Sequence, residues 1–300
     1  ALLSGHNILF LGLRGQAKTK MAGLMPLLLD ELIPVVAGSE INDDPYRPIS
    51  KYAKDVIAEM GDHTPISWIS RQERYVEKLA TPDVSVADLI GDLDPIKAAQ
   101  KQLSFDNEYA IHYGLIPRAN RSIFVINELP DLQARIQVSL FSILEEMDLQ
   151  IRGFKIKLPL DLFFVFTANP EDYTQRGNII TPLKDRIESQ ILTHYPEELD
   201  TALKISIQEA HISSSEQLKI HIPSVLQRIV EDIAFVARES ELVDEKSGVS
   251  ARLGISAHEL LYSAVERRLL CNKEKSGTAR LTDLLSIVPA ITGKMELVYE

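Results

Sequence analysis

Residues Gly12 to Thr19 read Gly-Leu-Arg-Gly-Gln-Ala-Lys-Thr and follow the apolar run Ile8–Leu11. An apolar strand that leads through a small-residue loop into Lys-Thr and a helix is the arrangement of a phosphate-binding loop. Amides of the loop and of the helix N-terminus surround phosphate oxygens, the lysine adds positive charge, and the threonine can ligate Mg²⁺. The predicted phosphate-contacting residues are Gly12, Gly15, Gln16, Ala17, Lys18 and Thr19. An ordinary strand–turn–helix with a solvated lysine is the alternative.

A polar pair ends a second apolar run, Ile123–Ile126, where Asn127 and Glu128 follow directly. In P-loop ATPases this position holds an acidic pair, with Asp toward Mg²⁺ and Glu as the base that orients water. An asparagine can accept a hydrogen bond from metal-bound water but carries no charge. We therefore expect Glu128 to be a general base and Asn127 to adjoin the bound cofactor, with a plain strand end as the alternative.

Two residues depart from the general pattern of P-loop proteins, Ala17 in the loop and Asn127 at the end of the second apolar run. Ala17 replaces the second glycine and adds only a methyl group, so phosphate contact should persist if its φ angle is negative. Asn127 removes one charge near Mg²⁺, which predicts weaker metal affinity or slower turnover. Neither change predicts inactivity, because Lys18 and Glu128 are both present.

Three further residues supply groups that phosphoryl transfer requires. Asn169 follows the apolar run Leu162–Thr167, where a neutral amide can hydrogen-bond the γ-phosphate or the attacking water. Arg186 precedes the last apolar run and could reach the nucleotide of a neighbouring subunit. Arg252 opens a helical pattern late in the chain and could close over the phosphates. The alternatives are a turn at Asn169-Pro170 and ordinary surface positions for both arginines.

Short apolar runs alternate with helical patterns through the first two-thirds of the chain, which predicts a parallel α/β sheet. The predicted strands are Ile8–Leu11, Tyr75–Ala80, Ser122–Asn127, Leu162–Thr167 and Ile187–Thr193. Periodicity predicts helices over Met21–Leu32 and Leu132–Met147, the second with Asp131 as its N-cap. The nearly unbroken apolar runs at residues 123–126 and 162–166 indicate strands buried on both faces.

Two stretches interrupt this alternation and are interpreted as insertions, residues 37–70 and residues 95–117. The first contains a weak helix at Lys51–Met60, and the second is polar with a helical pattern. Residues 149–158 alternate apolar and polar positions on both sides of a glycine, which predicts a projecting β-hairpin.

The chain changes character after residue 195, where strand patterns give way to helical ones. The helical patterns are Glu197–His211, Ile222–Ser240, Ser256–Cys271 and Leu281–Ile291. Composition indicates loops at Ser213–Glu216 and Asp244–Gly248. We expect two domains, an αβα core at residues 1–195 and a smaller all-helical lid at residues 196–300.

Composition limits the class of protein. The 300 residues carry a net charge of −11, with 45% hydrophobic and 25% charged residues and one cysteine. The acidic balance argues against nucleic-acid or membrane-surface binding as the main activity. One cysteine allows no intramolecular disulfide, which favours a reducing, cytoplasmic setting. No apolar run reaches membrane-spanning length, and the start at Ala1 suggests a fragment trimmed from a longer protein.

The order of these motifs resembles that of AAA+ ATPases over almost the whole chain. The run Gly114-Leu-Ile-Pro-Arg118-Ala-Asn-Arg121 and the run Gly91-Asp-Leu-Asp94 are similar to those of magnesium-chelatase I subunits and MoxR-like ATPases. Residues 95–117 and 149–158 correspond to the helix-2 insert and pre-sensor hairpin of that clade. The resemblance implies a P-loop αβα core with a helical lid.

The resemblance also implies roles for residues, cofactors and partners. The roles are Walker A for Lys18 and Thr19, subunit-interface positions for Arg118 and Arg121, the Walker B glutamate for Glu128, sensor 1 for Asn169, the arginine finger for Arg186 and sensor 2 for Arg252. The implied cofactors are ATP and Mg²⁺, with Thr19 as metal ligand. The implied assembly is a homo-oligomeric ring, most often a hexamer, with a von Willebrand factor A-domain protein as partner.

Three functions are left open by the sequence. A ring-forming ATPase would hydrolyse ATP to remodel a partner, as a chaperone-like protein or as the motor of a metal chelatase. A nucleotide-gated interaction module would bind ATP but hydrolyse it poorly, because Asn127 brings no charge. A DNA-remodelling motor is disfavoured by the acidic net charge and by the absence of the Gly-Ala-Phe-Thr-Gly-Ala loop of sigma-54 activators.

Overall fold

The computed structural model describes residues 1–96, 108–146, 149–151, 154–156, 158–170, 177–212, 218–243 and 249–295. The chain divides into two compact units. The first consists of Ala1–Leu11 and Ala17–Leu192, and the second of Gly12–Gln16 and Thr193–Glu300. The loop Gly12–Gln16 thus groups with the C-terminal residues, and the domain boundary at residue 195 stays a prediction.

A parallel sheet forms the centre of the first unit. The strands of this unit are β1 (Ile8–Leu11), β2 (Leu32–Val36), β3 (Ile66–Ser70), β4 (Tyr75–Leu79), β5 (Gly91–Leu93), β6 (Ile111–Tyr113), β7 (Ser122–Asn127), β8 (Leu149–Ile151), β9 (Phe154–Ile156), β10 (Leu162–Ala168) and β11 (Ser189–Leu192). Five of them pair in the order β11-β1-β10-β7-β4, each pairing parallel. These are the five strands predicted from the sequence, and the predicted α/β class is confirmed.

Helices cover both faces of this sheet. The helices of the first unit are α1 (Lys18–Leu24), α2 (Lys51–Met60), α3 (Val86–Leu89), α4 (Leu115–Arg118), α5 (Ala134–Glu146) and α6 (Thr181–Arg186). Phe124 and Phe166 belong to an apolar cluster with Leu140 of α5, whereas Phe10 belongs to a second cluster with Ala22 of α1. Successive strand residues point to opposite faces, so the two clusters lie on opposite sides and produce the αβα layering.

The helix after the phosphate loop is shorter than predicted. Periodicity predicted Met21–Leu32, but α1 ends at Leu24 and a 3₁₀ segment follows at Met25–Leu28. Pro26 has no amide hydrogen and its ring clashes with the preceding helical turn, which ends the α-helix. The following residues extend as β2 instead.

The predicted N-cap at Asp131 is also wrong. Asp131 ends a 3₁₀ segment, Leu129–Asp131, and α5 begins only at Ala134. Pro130 stands at the start of that segment, where its missing amide hydrogen is not needed. Asp131, which periodicity assigned to the helix cap, therefore belongs to the 3₁₀ turn.

The insertion at residues 37–70 folds around the buried carboxylate of Asp43. Its two oxygens accept hydrogen bonds from the hydroxyls of Ser39 and Ser50, both at 2.6 Å, and from the amide of Ile49 at 2.7 Å. Ser50 in turn caps α2, which confirms the helix predicted at Lys51–Met60. Strands β2 and β3 pair antiparallel at the two ends of this region.

The second insertion is only partly helical. Residues 97–107 lie outside the described residues. In the remainder, β6 pairs antiparallel with β5, so the helical pattern predicted across residues 95–117 is wrong for this strand. Gly91 permits the pairing: its φ is 123°, and a side-chain carbon there would collide with the carbonyl oxygen of His112.

The predicted hairpin at residues 149–158 is confirmed as an antiparallel pair, because β8 and β9 pair with each other. Its turn at residues 152–153 lies outside the described residues.

The described part of the second unit is mainly helical, as predicted, although the helix predicted at Leu281–Ile291 is a 3₁₀ segment followed by a short α-helix. Its helices are α7 (Leu199–Glu209), α8 (Ser224–Glu239), α9 (Arg252–Asn272) and α10 (Val288–Thr292), and a 3₁₀ segment spans Leu281–Ile287. The difference from an all-helical lid is a parallel pair of three-residue strands, β12 (Lys219–His221) and β13 (Ser276–Thr278). Such short strands carry too little periodicity to be recognised. The loops predicted at residues 213–216 and 244–248 fall outside the described residues.

Across the described parts of both units, no helix combines the length and the apolar character needed to cross a membrane.

Candidate functional site

The end of β7 brings polar side chains from three elements together. Asn127, the last residue of β7, is buried. Its Oδ1 atom accepts hydrogen bonds from the hydroxyl of Thr167 in β10, at 3.0 Å, and from that of Thr19 in α1, at 3.3 Å. The structure thus places in direct contact Thr19 and Asn127, which the sequence analysis assigned to one site.

Glu77 of the neighbouring strand β4 orients the amide of Asn127. Nδ2 of Asn127 donates to Oε1 of Glu77, and Oε2 of Glu77 accepts from the Tyr75 hydroxyl at 2.9 Å. Burial and then this hydrogen bond raise the pKa of Tyr75, so it stays a donor. If the amide of Asn127 were flipped, Oδ1 would face the carboxylate of Glu77 and the two would repel each other. The charge of Glu77 therefore favours the orientation in which Nδ2 faces the carboxylate.

Glu77 also compensates in part for the charge that Asn127 lacks. A carboxylate acceptor polarises the amide and makes Oδ1 a stronger acceptor for the Thr19 hydroxyl. A negative charge is thus present beside Asn127, although it comes from the next strand and not from residue 127 itself.

Glu128 follows Asn127 in a left-handed backbone conformation, with φ 56°, which non-glycine residues rarely adopt. Its amide donates to the Thr167 hydroxyl oxygen at 3.2 Å, so Thr167 bridges Asn127 and Glu128. Such strained backbone is concentrated at functional sites. The side chain of Glu128 is half-buried, an environment in which a carboxylate can serve as a general base.

The start of α1 carries Lys18, which is buried, and Thr19, which is exposed. Ala17 precedes them with φ 58°, so the negative φ on which the sequence argument depended is not present. A left-handed conformation costs a residue with a side chain about 1–2 kcal/mol, whereas glycine adopts it freely. The loop therefore keeps the turn that the usual glycine would make, at the expense of strain at Ala17.

Residues of the second unit contact the loop Gly12–Gln16. Oε1 of Gln16 accepts from the hydroxyl of Thr193 at 2.6 Å. Gly15 has φ 72°, and a side-chain carbon at this position would collide with the hydroxyl of Ser250. Glycine is therefore required at position 15 by both its conformation and its close approach to Ser250.

Arg186 is held by its own chain. It ends α6, and its Nε and Nη2 atoms lie 2.8 and 2.7 Å from Oε2 of Glu145. The guanidinium carbon lies 5.0 Å from the centre of the Phe141 ring. Glu145 is 57% exposed, and such surface pairs contribute at most about 1 kcal/mol. Release of Arg186 toward another molecule would therefore lose at most about 1 kcal/mol from this ion pair.

The remaining candidate residues lie in different surroundings. Asn169 is buried directly after β10, and Arg252 is exposed at the first position of α9. Arg118 is exposed, and its position at a subunit interface stays a prediction. Arg121 instead donates to the carbonyl oxygen of Pro34 at 2.6 Å, a contact within its own chain.

Glu77 and Thr167 were missed by the sequence analysis. Glu77 lies in the middle of β4, where a charged residue is typical of an exposed edge strand. Only the pairing of β4 with β7 brings it to Asn127. Thr167 offered a weak signal, because it is a polar residue at the end of a buried strand and two positions before Asn169.

Comparison with known proteins identifies the fold. No protein-family model matches the chain. A chain in the complex between subunits BchI and BchD of magnesium chelatase is similar over 99% of this chain and 92% of that chain, with 18% sequence identity and a TM-score of 0.51. A putative ATPase from Cytophaga hutchinsonii is similar over 98% of this chain and 79% of that chain, with 17% identity and a TM-score of 0.40. For the S. cerevisiae Hsp104-ADP complex the shares are 92% and 44%, with 13% identity and a TM-score of 0.46.

The chain therefore shares the fold of that magnesium chelatase chain, and it consists of a five-stranded parallel α/β core with a helical C-terminal part. The likeness to the magnesium chelatase chain extends over nearly all of both chains and agrees, at the level of the fold, with the resemblance found in the motifs. A shared fold does not carry an activity across, so the function is argued from the site residues.

Proposed function

We propose that this chain binds ATP together with Mg²⁺ and hydrolyses it, as an AAA+ ATPase. The observation that carries the proposal is the contact between Thr19 and Asn127, whose Oγ1 and Oδ1 atoms lie 3.3 Å apart. Ligands of open α/β sheets bind outside the carboxyl ends of the strands. A Lys-Thr pair that begins a helix and a polar residue that ends a second strand adjoin at that edge.

Different residues are proposed as ligands of the phosphates and of the metal. Lys18, the amides at the start of α1 and the loop Gly12–Gln16 are assigned to the phosphates. The oxygens of Thr19 and Asn127 are the hard donors that Mg²⁺ prefers, so these residues fit the ion. Bound Mg²⁺ would neutralise charge on the phosphate oxygens. Glu77 adds the negative charge nearby that Asn127 does not provide.

Glu128 is proposed as the general base that takes the proton of the attacking water. Thr167 holds its backbone by accepting from the Glu128 amide. Asn169 is assigned to the orientation of that water. A neutral amide can donate a hydrogen bond to the water, and it places no negative charge that would repel the phosphate.

We assign Arg186 to the nucleotide of a neighbouring subunit, which requires its release from Glu145. Arg252 keeps the sensor 2 role on the resemblance alone. These assignments belong with a homo-oligomeric ring, most often hexameric, that works in the cytoplasm as a chaperone-like remodelling protein or as a chelatase-type motor. A von Willebrand factor A-domain protein is the partner that the resemblance favours.

A nucleotide-gated interaction module is the second candidate. Asn127 favours it, because its own side chain carries no charge and the charge of Glu77 is directed into a hydrogen bond with the amide. Such a protein would bind ATP and hydrolyse it slowly.

Nucleotide binding and turnover, measured separately, test both candidates. Lys18→Ala should weaken ATP affinity about tenfold or more, whereas Lys20→Ala, on the same helix, should leave it unchanged. Glu128→Gln should preserve binding and abolish turnover. Unchanged affinity in Lys18→Ala refutes both candidates, and background hydrolysis in both wild type and Glu128→Gln leaves only the gated module. Size-exclusion chromatography with and without ATP and Mg²⁺ tests the ring.

A further inference from the structure

Strands β2 and β3 form a two-stranded antiparallel sheet whose two faces differ in burial. Ile33 and Val35 point to one face and are buried there. Ile66 and Trp68 point to the other face, where they are 46% and 57% exposed. Trp68 is the single tryptophan of the chain. The largest side chain of this small sheet therefore lies on its exposed face.

The register of β2 and β3 shows which backbone groups point away from the pair. In an antiparallel pair, residues that exchange hydrogen bonds with the partner strand alternate with residues whose groups face outward. The amide of Arg71 donates to the carbonyl oxygen of Glu31 at 3.0 Å, which continues the register by one position. Odd-numbered residues of both strands therefore bond to each other, and the amides and carbonyls of Ile66 and Trp68 face outward.

The outer edge of β2 is closed by its own chain. Pro34 has no amide hydrogen, and its carbonyl oxygen accepts from Arg121 at 2.6 Å. The amide of Val36 donates to the carbonyl oxygen of Asp43 at 2.9 Å. A proline and occupied backbone groups prevent another strand from pairing at this edge.

The outer edge of β3 is open at two residues. Ser70, at its end, donates its amide to Glu73 at 2.8 Å and accepts from the amide of Arg74 at 3.2 Å. At Ile66 and Trp68, no other described residue forms a hydrogen bond with the outward amides and carbonyls. Two donors and two acceptors thus lie in a row beside exposed apolar side chains. An edge of this kind is a template for a further strand.

We propose that the outer edge of β3 binds an extended segment of a protein partner as an added β-strand. Outward donors and acceptors on alternate residues match the backbone of an extended chain, whereas a helix uses its own backbone groups internally. Side chains of paired residues lie on the same face. Apolar side chains of the added strand would therefore pack beside Ile66 and Trp68.

The charges near β3 favour a basic segment over a second copy of this chain. Glu59, Asp62 and Glu73 are exposed in the residues that flank the strand, whereas Arg71 and Arg74 are half-buried. A partner with lysine or arginine beside its apolar residues would complement these carboxylates. A second copy would bring the same acidic residues together. It would also pair over two residues of each chain, too few for the roughly 1,000 Å² that a specific dimer buries.

Titration of the full chain with the acetylated and amidated peptide Lys-Val-Thr-Val-Thr-Val-Lys tests the proposal. Trp68 is the reporter, because its fluorescence shifts to shorter wavelength when the indole leaves water, and we expect a saturable shift. The same peptide with N-methyl groups on its five central amides keeps every side chain but loses the donors of the added strand, and should not bind. The peptide Glu-Val-Thr-Val-Thr-Val-Glu should bind several-fold more weakly. The titration contains no nucleotide, so its outcome is independent of the proposed ATPase.

Two variants of Ile66 separate the backbone amide from the side chain. Ile66→Pro removes an outward amide hydrogen that β2 does not use, as Pro34 does on the opposite edge, and should weaken binding roughly tenfold. Ile66→Ala removes more of the side chain but keeps the amide, and should weaken binding about two- to threefold. Thermal unfolding checks that Ile66→Pro is folded; if it is not, the methylated peptide on the wild-type chain decides.

Several results would overturn the proposal. They are the absence of a fluorescence shift up to about 1 mM peptide, equal binding of the methylated peptide, and a folded Ile66→Pro that binds no more weakly than Ile66→Ala. Equal binding of the acidic peptide overturns the preference for a basic partner. If sedimentation without peptide or nucleotide shows a smaller species for Ile66→Pro than for wild type, the edge is occupied by a second copy, which also overturns it.

Discussion

The substitution Asn127→Asp tests whether Glu77 carries the negative charge at the end of β7. The general P-loop pattern has Asp at this position, so the change would ordinarily be regarded as a restoration. The structure predicts a loss of stability instead. Because Nδ2 of Asn127 donates to Oε1 of Glu77, the substitution exchanges a donor for a second carboxylate in direct contact with the first.

The expected loss follows from the Coulomb energy of the two carboxylates. Two like charges about 4 Å apart repel by about 4 kcal/mol at an effective dielectric constant of about 20. Glu77 is exposed, and solvent screening reduces this to about 1–2 kcal/mol. Two carboxylates in one site hold a proton more tightly than they do in the unfolded chain. The loss is therefore largest near about pH 8 and shrinks as the pH falls toward about 5.

Urea unfolding at both pH values, followed by circular dichroism, measures this loss. The double variant Asn127→Asp with Glu77→Gln exchanges donor and carboxylate, and should recover to within about 0.5 kcal/mol of wild type. Glu77→Gln alone completes the double-mutant cycle, whose coupling energy should be about 1 kcal/mol or more. Wild-type stability of Asn127→Asp near about pH 8, or a double variant no more stable than the single one, refutes our account of Glu77.

Three further predictions concern the strain at Ala17, the half-buried carboxylate of Asp283 and the close approach at Gly91. Ala17→Gly removes left-handed strain and should raise the free energy of unfolding by up to about 1 kcal/mol. Ala22→Gly, inside the helix α1 that follows Ala17, should lower it by about 1 kcal/mol or more. Urea unfolding compares the two variants, and equal effects would contradict the strain at Ala17. Burial opposes ionisation of Asp283, but hydrogen bonds from Arg268 lower its pKa overall. Asp283→Asn should therefore cost about 1–3 kcal/mol at neutral pH. This difference should begin to shrink as the pH falls toward about 4 and should disappear only below the lowered pKa of the folded state; a constant difference at every pH argues against it. Gly91→Ala places a methyl group against the paired strand β6 and should destabilise by about 3 kcal/mol, and an unchanged thermal midpoint would show that the strand yields.

The parts of the fold that the sequence predicted are those with strong local patterns. Strands buried on both faces of a parallel sheet are apolar runs, and β7 and β10 were recognised for that reason. The strands β12 and β13 are too short for their periodicity to register. The early end of α1 could have been predicted from Pro26, whose effect on a helix is local.

The residues of the candidate site also divide into those that a local pattern predicts and those that it does not. Lys18, Thr19, Asn127 and Glu128 were found because each motif is a run of neighbouring residues. Glu77 stayed hidden because its relation to Asn127 depends on which strand lies beside β7.

The sequence by itself determined which chemical groups the chain carries at its strand ends, and that one of them, Asn127, is neutral. Only the tertiary structure decided what surrounds these groups: a left-handed Ala17, a carboxylate from β4 against Asn127, and Arg186 held by Glu145. Motifs are read along a few consecutive residues, whereas strand order and register are set by packing across the whole sheet. A charge missing from one strand can for that reason be present on the next.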